Sequence, residues 1–345
     1  MKLFARRCNS RYHREEGFKL KFLKRVLLII VAVLVLLLTW GIVVEPRLID
    51  VKEEMAEIPQ LPAAWEGARV ALIADLQVGM WLNNTDTARR IVGRLVEERP
   101  ALVLIAGDFV YKPLGEETKE ETRDELEEED YREAGEVIGK VTDMLRPLVA
   151  AGIPTYAVLG NHDYGMMTPH DLKQEWLARL LRQSLEGAGV RVLDNAAAAL
   201  PSPAARPNGS QAETTTGEPP LYVVGIGSHF AQHDNPAVAL SQVPAKAPRL
   251  VFMHNPDSFI QLPAGAAPLA LAGHTHGGQI RIPFTPEWSW PSLVSDNQIH
   301  GDGWIDGYGQ PGNRLYVNRG IGFSYVPIRI NCPPELTMFT LRRAN

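Results

Sequence analysis

The sequence predicts an α/β fold preceded by a single membrane-spanning helix, and three observations support this prediction. Aliphatic runs end in polar residues, as buried parallel strands do when their carboxyl ends carry functional side chains. Amphipathic segments typical of helices lie between these runs. A long uncharged segment near the amino terminus follows a cluster of basic residues. The runs are ARVALIAD, ALVLIAGD, PTYAVLGNHD, RLVFMH and PLALAGHTH.

The amino-terminal segment predicts an uncleaved signal anchor. Residues 1–25 carry nine Lys or Arg against Glu15 and Glu16, and residues 26–44 contain no charge. This uncharged length is about what one helix needs to cross a hydrocarbon core of roughly 30 Å. A buried core helix would show an amphipathic period, and a cleaved signal peptide would be followed by small residues rather than by EPRLIDVKEEM. The positive-inside rule predicts a cytoplasmic tail over 1–25 and the remaining chain on the extracytoplasmic side.

The segment after the anchor predicts a stalk and then one domain. Residues 45–66 are predicted as a stalk and lead-in, because Pro46, Pro59 and Pro62 discourage a long helix. Residues 67–345 are long enough for one large domain with a self-supporting core. Amphipathic patterns in this domain predict helices over residues 85–100, 136–152 and 172–189.

Two segments interrupt the alternation of strands and helices, and both are predicted to be flexible insertions, over residues 113–130 and 196–220. Residues 116–130 hold ten Asp or Glu against two basic residues, which is typical of a solvated helix face or a loop. A calcium site is the alternative interpretation, but the segment lacks the alternating ligand spacing of a calcium-binding loop. The second segment is rich in Ala, Pro, Ser and Thr.

Charge and cysteine content exclude some classes of function. The net charge of −5 disfavours nucleic-acid binding by bulk electrostatics, and the sequence has no basic stripe typical of a nuclease. Cys8 and Cys332 lie on opposite sides of the predicted span, so they do not predict a disulfide framework.

The polar residues at the ends of the aliphatic runs predict one shared site, because ligands collect at the carboxyl ends of strands in open α/β sheets. Carboxylates, amides and imidazoles are the ligands of a two-metal centre, in which ions about 3.5–4 Å apart activate water and clamp phosphoryl oxygens. Asp108, directly after Gly107, suits the bridging position. Mixed nitrogen and oxygen ligands suit Mn, Fe or Zn. The candidate residues are Asp75, Gln77, Asp108, Asn161, His162, Asp163, His254, His274 and His276.

These motifs resemble those of the calcineurin-like metallophosphoesterases. The matching strings are DLQ, GDF, GNHD, MHNPD and GHTHGGQ, and GNHD together with GHTH is a strong joint signal. The blocks WEGARVALIADLQVG, GHTHGGQIRIPF and LYVNRGIGFSYVPIRINCPPEL resemble the membrane-anchored bacterial branch, which includes YkuE-like and YaeI-like phosphodiesterases and UDP-2,3-diacylglucosamine pyrophosphatases. The likeness covers roughly residues 50–345. It implies a four-layer α/β/β/α sandwich with a metal site at one edge of two facing mixed sheets.

The resemblance implies two sets of metal ligands that share one carboxylate. The first set would be Asp75, Asp108 and His276, with Gln77 in the fourth position. The second set would be Asp108, Asn161, His254 and His274. The expected cofactor is a pair of divalent ions, with manganese as the first choice and iron, zinc or magnesium as alternatives.

Two further residues are implied to act on the substrate rather than on the metals. His162 would face the substrate and stabilise the transition state or protonate the leaving oxygen. Asp163 would orient His162 as a carboxylate–imidazole pair.

Gln77 departs from the family pattern, which has a histidine two positions after the first aspartate. Strand alternation would point Gln77 the same way as Asp75, so geometry permits ligation. Its neutral, hard amide oxygen should favour Mn over Zn. Three interpretations stay open: ligation with full activity, weak ligation with a labile first metal, or a non-catalytic protein that kept the fold.

The function predicted is that of a membrane-anchored dinuclear-metal phosphoesterase, acting on a phosphodiester or pyrophosphate bond. The anchor and the resemblance extend the prediction to a lipid or lipid-linked nucleotide substrate. The alternative is a membrane-tethered non-catalytic or weakly active protein with a degenerate first metal site. Trp288 and Trp290 in EWSWPS are expected either to pack in the core or to form an apolar lip for such a substrate, with Trp81 on the same surface.

Overall fold

The computed structural model describes residues 2–111, 128–203, 217–282, 301–305 and 307–344. Most of the predicted insertion over 113–130 lies outside the described residues, as does the part of the second insertion over 204–216. Trp288 and Trp290, which are expected either in the core or in an apolar lip, also lie outside them.

The chain begins with one long helix, α1, over Lys2–Thr39, which is charged in its first part and apolar from residue 26 onward. A wider helical turn, Trp40–Val44, and a tight turn, Glu45–Arg47, continue it. The stretch Lys19–Arg47 is long and apolar enough to cross a membrane, and only 6% of its most apolar window is buried against the rest of the protein. This finding agrees with the prediction of a span over 26–44 in length and composition.

A first mixed sheet contains six strands, which are β1 Asp50–Ile58, β2 Arg69–Ile73, β3 Leu102–Ala106, β4 Thr155–Val158, β5 Arg191–Val192 and β12 Glu335–Arg343. Their order across the sheet is β1-β12-β2-β3-β4-β5. Strands β12 and β2 pair antiparallel, and the other neighbours pair parallel.

Strand β1 corrects the prediction of a stalk over residues 45–66. All nine of its residues pair with β12, from Asp50 opposite Glu335 to Ile58 opposite Arg343. The strand lies at the edge of the sheet, and most of its side chains are at least partly exposed, with Ala56 and Ile58 buried. Apolar and polar residues alternate only weakly along this strand, because only its end packs on the core.

A second mixed sheet contains β6 Ala196–Ala199, β7 Tyr222–Gly225, β8 Arg249–Phe252, β9 Ala270–Ala272, β10 Gly303–Ile305 and β11 Leu315–Val317. Their order across the sheet is β10-β11-β9-β8-β7-β6. The pairs β10–β11 and β6–β7 are antiparallel, and the inner pairs are parallel. Strand β6 corrects the start of the second predicted insertion, because Ala196–Ala199 pair with β7. The strand was not predicted because alanine has a low propensity for strands.

Helices cover the outer faces of the two sheets, so that the domain has four layers. Three helices lie on the first sheet and share a buried core with it, and the short α5 covers the second sheet. The inner faces of both sheets form a third core between them. The helices are α2 Thr85–Glu98, α3 Glu128–Ala150, α4 Glu175–Gly187 and α5 Pro236–Ser241. The predicted α/β/β/α sandwich is confirmed, and the three predicted helices are present.

The two sheets meet at the carboxyl ends of their central strands. Gly273, directly after β9, lies so close to Ala74 beyond β2 that a Cβ at Gly273 would stand 2.6 Å from the Ala74 Cβ. The carbonyl of Ala106 at the end of β3 accepts a hydrogen bond from His254, two residues after β8. The loops that follow β2, β3, β4, β8 and β9 therefore converge at one edge of the sandwich.

Candidate metal centre

Three potential ligand atoms converge on His254 Nε2, which is itself a fourth. Its Nε2 lies 3.2 Å from Asp108 Oδ2, 3.1 Å from Asn161 Oδ1 and 3.2 Å from His274 Nδ1. Two imidazole nitrogens facing each other at this distance, next to a carboxylate and an amide oxygen, form a set suited to one cation. All four predicted ligands of the second metal are thus brought together.

Hydrogen bonds outside this cluster aim two of these ligands. His254 Nδ1 lies 2.7 Å from the Ala106 carbonyl and donates to it, which leaves Nε2 to face the centre. Asn161 Nδ2 donates to the Met166 carbonyl at 2.7 Å, which turns the amide oxygen toward His254. The geometry is set by the backbone that surrounds the cluster.

A second set of donors adjoins the first and shares Asp108 with it. Asp75, Asp108 and His276 each place a ligand atom within 4.8 Å of the others, and all three are buried. His276 Nε2 lies 3.5 Å from Asp75 Oδ1. Asp108 belongs to both sets, so it has the position of a bridging carboxylate.

The side chain of Gln77 also lies in this centre, but a backbone conformation that the sequence does not indicate places it there. Its Nε2 donates to Asp108 Oδ2 at 2.9 Å, whereas its Oε1 is buried and accepts no hydrogen bond from the described residues. Strand β2 ends at Ile73, and both Asp75 (φ 54°) and Gln77 (φ 48°) have left-handed backbone. The expectation that strand alternation aims Gln77 is therefore wrong, since a loop with two positive φ angles aims it.

Gly107 allows three ligand loops to approach one another closely. Its φ is +82°, and a Cβ there would lie 2.7 Å from the Gly160 nitrogen and 2.8 Å from His254 Nδ1. Gly107 therefore lies directly against the neighbouring loops that carry Asn161 and His254. A side chain at Gly107 would push Asn161 and His254 away from Asp108.

His162 lies at the boundary of the metal centre. Its backbone N–H donates to Asp108 Oδ1 at 2.9 Å, and its Nε2 lies 4.0 Å from Asp108 Oδ2. The ring of Tyr111 stacks on the His162 imidazole, with 5.3 Å between centroids. Sequence reasoning did not select Tyr111, because an aromatic residue three positions after a ligand carries no recognisable signal.

Asp163 connects the loop after β3 with the loop after β4. Oδ1 accepts hydrogen bonds from the N–H groups of Phe109 and Val110, and Oδ2 accepts from Asp108 and Gly160. This buried carboxylate thereby fixes the backbone of Asp108 and of the two residues that follow it against the loop of Gly160. Its predicted role in orienting His162 stays a prediction.

The buried charges of the centre shift one another's protonation. Burial, followed by the negative charge of Asp108, raises the pKa of Asp75 to about 8. Burial disfavours protonation of His254, but the charge and hydrogen bond of Asp108 outweigh it and raise the pKa of His254 to about 9. Burial and then the charge of His254 lower the pKa of His274 to about 3. Carboxylates and imidazoles held so tightly together suit a site whose counter-charge is a cation.

Arg329 is a second residue that sequence reasoning missed. Its guanidinium is fully buried and donates to the backbone carbonyls of Arg319, Gly320, Gly322 and Cys332. Its positive charge favours ionisation of Asp75, although burial of Asp75 has the larger effect. The loop that Arg329 organises packs on Gln77, since a Cβ at Gly322 would lie 2.6 Å from the Gln77 Cβ.

The donors fit a pair of divalent cations. Two sets of three charged or imidazole ligands share Asp108, Asn161 adds an amide oxygen to one set, and the buried Oε1 of Gln77 lies beside the other. A buried polar atom without a partner is unfavourable unless a ligand or ion satisfies it.

Comparison with known proteins identifies the family. The model of the calcineurin-like phosphoesterase family matches residues 68–278, which contain every candidate ligand. The chain belongs to this family. Its members use a dinuclear metal centre, and the chain is a metal-dependent phosphoester hydrolase.

Several bacterial relatives of this calcineurin-like phosphoesterase span most of its length. Phosphodiesterase YaeI of Escherichia coli is 31% identical over 71% of this chain and 72% of its own. The metallophosphoesterase YkuE of Bacillus subtilis is 23% identical over 87% of this chain and 88% of its own. UDP-2,3-diacylglucosamine pyrophosphatase LpxG of Chlamydia trachomatis is 25% identical over 90% of this chain and 94% of its own. The predicted resemblance is confirmed.

Proposed function

We propose that this protein is a membrane-anchored hydrolase of phosphodiester or pyrophosphate bonds, with two divalent ions bridged by Asp108. The observation that carries the proposal is the convergence of Asp108, Asn161, His254 and His274 on one point, with a second set of donors sharing Asp108. Bound divalent ions supply an activated hydroxide and charge stabilisation at the phosphoryl oxygens.

The protein residues have separate tasks in this proposal. Asp75, Asp108, His276 and Gln77 hold the first ion. Asp108, Asn161, His254 and His274 hold the second. His162, next to Asp108 and stacked on Tyr111, donates a proton to the leaving oxygen, and Asp163 keeps the two ligand loops in register.

Manganese is the proposed physiological metal. Gln77 offers an amide oxygen where the family pattern has an imidazole, and a harder oxygen ligand shifts preference away from zinc. The hydrogen bond from Gln77 Nε2 to Asp108 leaves Oε1 as the atom for ligation.

The proposed substrate is a lipid or a lipid-linked nucleotide at the extracytoplasmic membrane surface. Support comes from α1, which is long and apolar enough to span a bilayer, and from the name of the relative LpxG, which is a pyrophosphatase of UDP-2,3-diacylglucosamine. The nine basic residues over 1–25 favour a cytoplasmic amino terminus. A reporter enzyme fused after Asn345 tests the orientation, since an alkaline phosphatase reporter is active only outside the cytoplasm.

The decisive experiment measures hydrolysis of bis(p-nitrophenyl) phosphate by the full chain in detergent, after metal removal and refilling with Mn, Mg, Fe or Zn. We expect manganese to restore activity and Asn161→Ala to abolish it while the protein stays folded. Asn235→Ala, which removes the cap of helix α5 and no proposed metal ligand, is the matched control and should retain activity.

The alternative is a tethered protein that does not catalyse. It predicts that no metal restores hydrolysis and that equilibrium dialysis finds less than one ion per chain. Activity that appears only in Gln77→His would indicate an impaired first metal site. Near-stoichiometric metal with turnover in the parent protein rules this alternative out.

A further inference from the structure

We propose that an apolar rim beside the metal site inserts into the lipid monolayer around the end of α1, so that the site opens at the level of the lipid headgroups. The apolar rim consists of Trp81, Leu82, Ile282, Tyr325 and Val326, and each of these side chains is exposed. The inference rests on the proposed membrane anchoring and deepens it.

Exposed apolar side chains concentrate at this place. Among the described residues after Arg47, eleven large hydrophobic side chains are exposed, and six of them are Leu48 and the five rim residues. Single exposed apolar residues are normal on a soluble surface, but a cluster of this kind marks an interaction surface. Trp81 is 73% exposed and Tyr325 is 63% exposed, and aromatic side chains of these two types favour the membrane interface.

The end of the apolar helix is docked on the domain. Gly41 is buried, and its carbonyl accepts a hydrogen bond from the Arg329 N–H at 2.9 Å. A Cβ at Gly41 would lie 2.8 Å from a side-chain carbon of Ile330 and 2.9 Å from one of Ile328, so only glycine fits there. Because Gly41 belongs to the uncharged segment 26–44, the loop that packs on it lies within about one helical turn of the bilayer surface.

A second contact fixes the helix end to the loop after β2. Asn84 Nδ2 donates to the carbonyl of Pro46 at 2.8 Å and to that of Ile321 at 2.9 Å. Asn84 follows Trp81 and Leu82 closely in the chain, so this side of the rim is held next to the juxtamembrane turn.

The other side of the rim is held by Gln279. Its side-chain N–H group donates to the carbonyls of Val326 at 2.8 Å and Ile328 at 3.1 Å. Ile280 forms a bridge to Ile330, which places Ile282 beside the same loop. The rim therefore surrounds the point where the chain would leave the membrane.

The length of the free apolar helix supports insertion of the rim. Residues 26–40 precede the docked Gly41, and fifteen helical residues span about 22 Å, whereas a hydrocarbon core is about 30 Å thick. Apolar surface on the domain can cover the difference, at lower cost than thinning the bilayer.

The apolar rim is also joined to the metal centre. Tyr325 lies beside Tyr111, whose ring stacks on His162, and Trp81 is four positions after Gln77 in the chain. A phosphate that reaches the metals past this rim would belong to a molecule whose apolar part stays in the monolayer.

Environment-sensitive labels at the rim test the proposal. The full chain, with Cys8→Ser so that the buried Cys332 is the remaining native thiol, is placed in nanodiscs of phosphatidylcholine and phosphatidylglycerol. A nitrobenzoxadiazole label is attached to Trp81→Cys or Val326→Cys, and to Val238→Cys as the matched control on α5, which is similarly exposed. We expect blue-shifted emission and strong quenching by spin-labelled lipids at both rim positions, with solvent-like emission at the control.

Rim labels that emit like the Val238→Cys label would overturn the proposal. Hydrolysis of the soluble bis(p-nitrophenyl) phosphate by the same labelled proteins separates this result from the proposed function. Labels that insert into the lipid, without hydrolysis, would support the rim proposal and contradict the proposed catalytic function. Solvent-exposed labels with hydrolysis would contradict the rim proposal and support the catalytic function.

Discussion

Single residues decide how the metal centre is assembled, and Gln77 is the most informative of them. Its amide occupies the position of a histidine in the family pattern, and it donates to Asp108, which both sets of donors share, while its oxygen is buried beside the candidate ligands. A histidine at this position would offer a softer nitrogen ligand. Its ligating nitrogen could not donate to Asp108, so the hydrogen bond that Gln77 Nε2 makes would change. Metal preference is thus expected to depend on this side chain.

Replacement of Gln77 by histidine should shift metal preference from manganese toward zinc. We expect the ratio of zinc to manganese affinity to rise by about tenfold or more, because imidazole suits zinc better than an amide oxygen does. Competition dialysis with metal analysis by mass spectrometry measures this ratio. An unchanged ratio would indicate that Gln77 lies outside the first metal's ligands.

Replacement of Gly107 by alanine should destabilise the domain and separate the ligand loops. A Cβ would lie 2.7 Å from the backbone nitrogen of Gly160 at a φ of +82°, which we expect to cost about 2 kcal/mol or more. Gly93→Ala is the matched control, since Gly93 is exposed in α2 with nothing within 4 Å of an added Cβ. That variant should gain about 0.5–1 kcal/mol. Chemical denaturation measures the free energy of unfolding of both variants. Equal changes in the two would contradict the close packing proposed at Gly107.

Secondary-structure elements are joined across the sheet by buried charge networks, and β1 depends on one of them. Arg319 forms an ion pair with Glu335 at 2.7 Å and another with Asp50 at the start of β1. Tyr316 donates to Glu335 at 2.8 Å, and Asn318 donates to Thr337 at 2.8 Å. This network attaches the edge strand and β12 to the loop that carries Arg329.

The Asp50 ion pair predicts a dependence of stability on pH. Burial disfavours ionisation of Asp50, but the hydrogen bond and charge of Arg319, with that of Lys52, outweigh it and lower the pKa of Asp50 below 3.8. Its contribution is therefore complete above the unfolded-state pKa and is lost as the pH falls through the folded-state pKa. Asp50→Asn should be less stable than the parent at pH 7 and equally stable in strong acid. Urea denaturation at pH 7 and below pH 3 measures this, and a difference that persists in acid would contradict it.

At the scale of the whole molecule, the candidate metal centre lies where the two sheets meet, so bound metal should stabilise both. The candidate ligands come from loops after β2, β3 and β4 of one sheet and after β8 and β9 of the other. Separation of the sheets would destroy the site. Any ligand that binds only the folded state therefore raises the free energy of unfolding.

Removal of metal with EDTA should lower the melting temperature of the full chain, and manganese should restore it. At a free metal concentration of a thousand times Kd, the gain is about 4 kcal/mol. Differential scanning calorimetry measures the shift, with Asn161→Ala as the comparison, in which the shift should be much smaller. An equal shift in both proteins would place the stabilising metal elsewhere.

Motifs and periodicity made much of this architecture predictable. The helices α2, α3 and α4 follow from their amphipathic periods, and the candidate ligands follow from polar strings after aliphatic strands. Strands β1 and β6 were not predictable, because β1 is mostly exposed and pairs with residues almost three hundred positions away, and β6 is four alanines. Tyr111 and Arg329 were missed because their partners, His162 and a set of backbone carbonyls, are defined only in space.

The sequence by itself determined the family, the ligand types and one apolar segment long enough to span a membrane. Each of these depends only on short motifs, on residue types or on a continuous run of apolar residues. The tertiary structure decided how the side chains meet. Positive φ angles rather than strand alternation aim Asp75 and Gln77, and the absence of a side chain at Gly107 lets three loops close around Asp108. Docking of Gly41 onto Ile328 and Ile330 sets the domain against the helix end. These are contacts between distant segments, whose energies depend on packing and backbone geometry that no local pattern encodes.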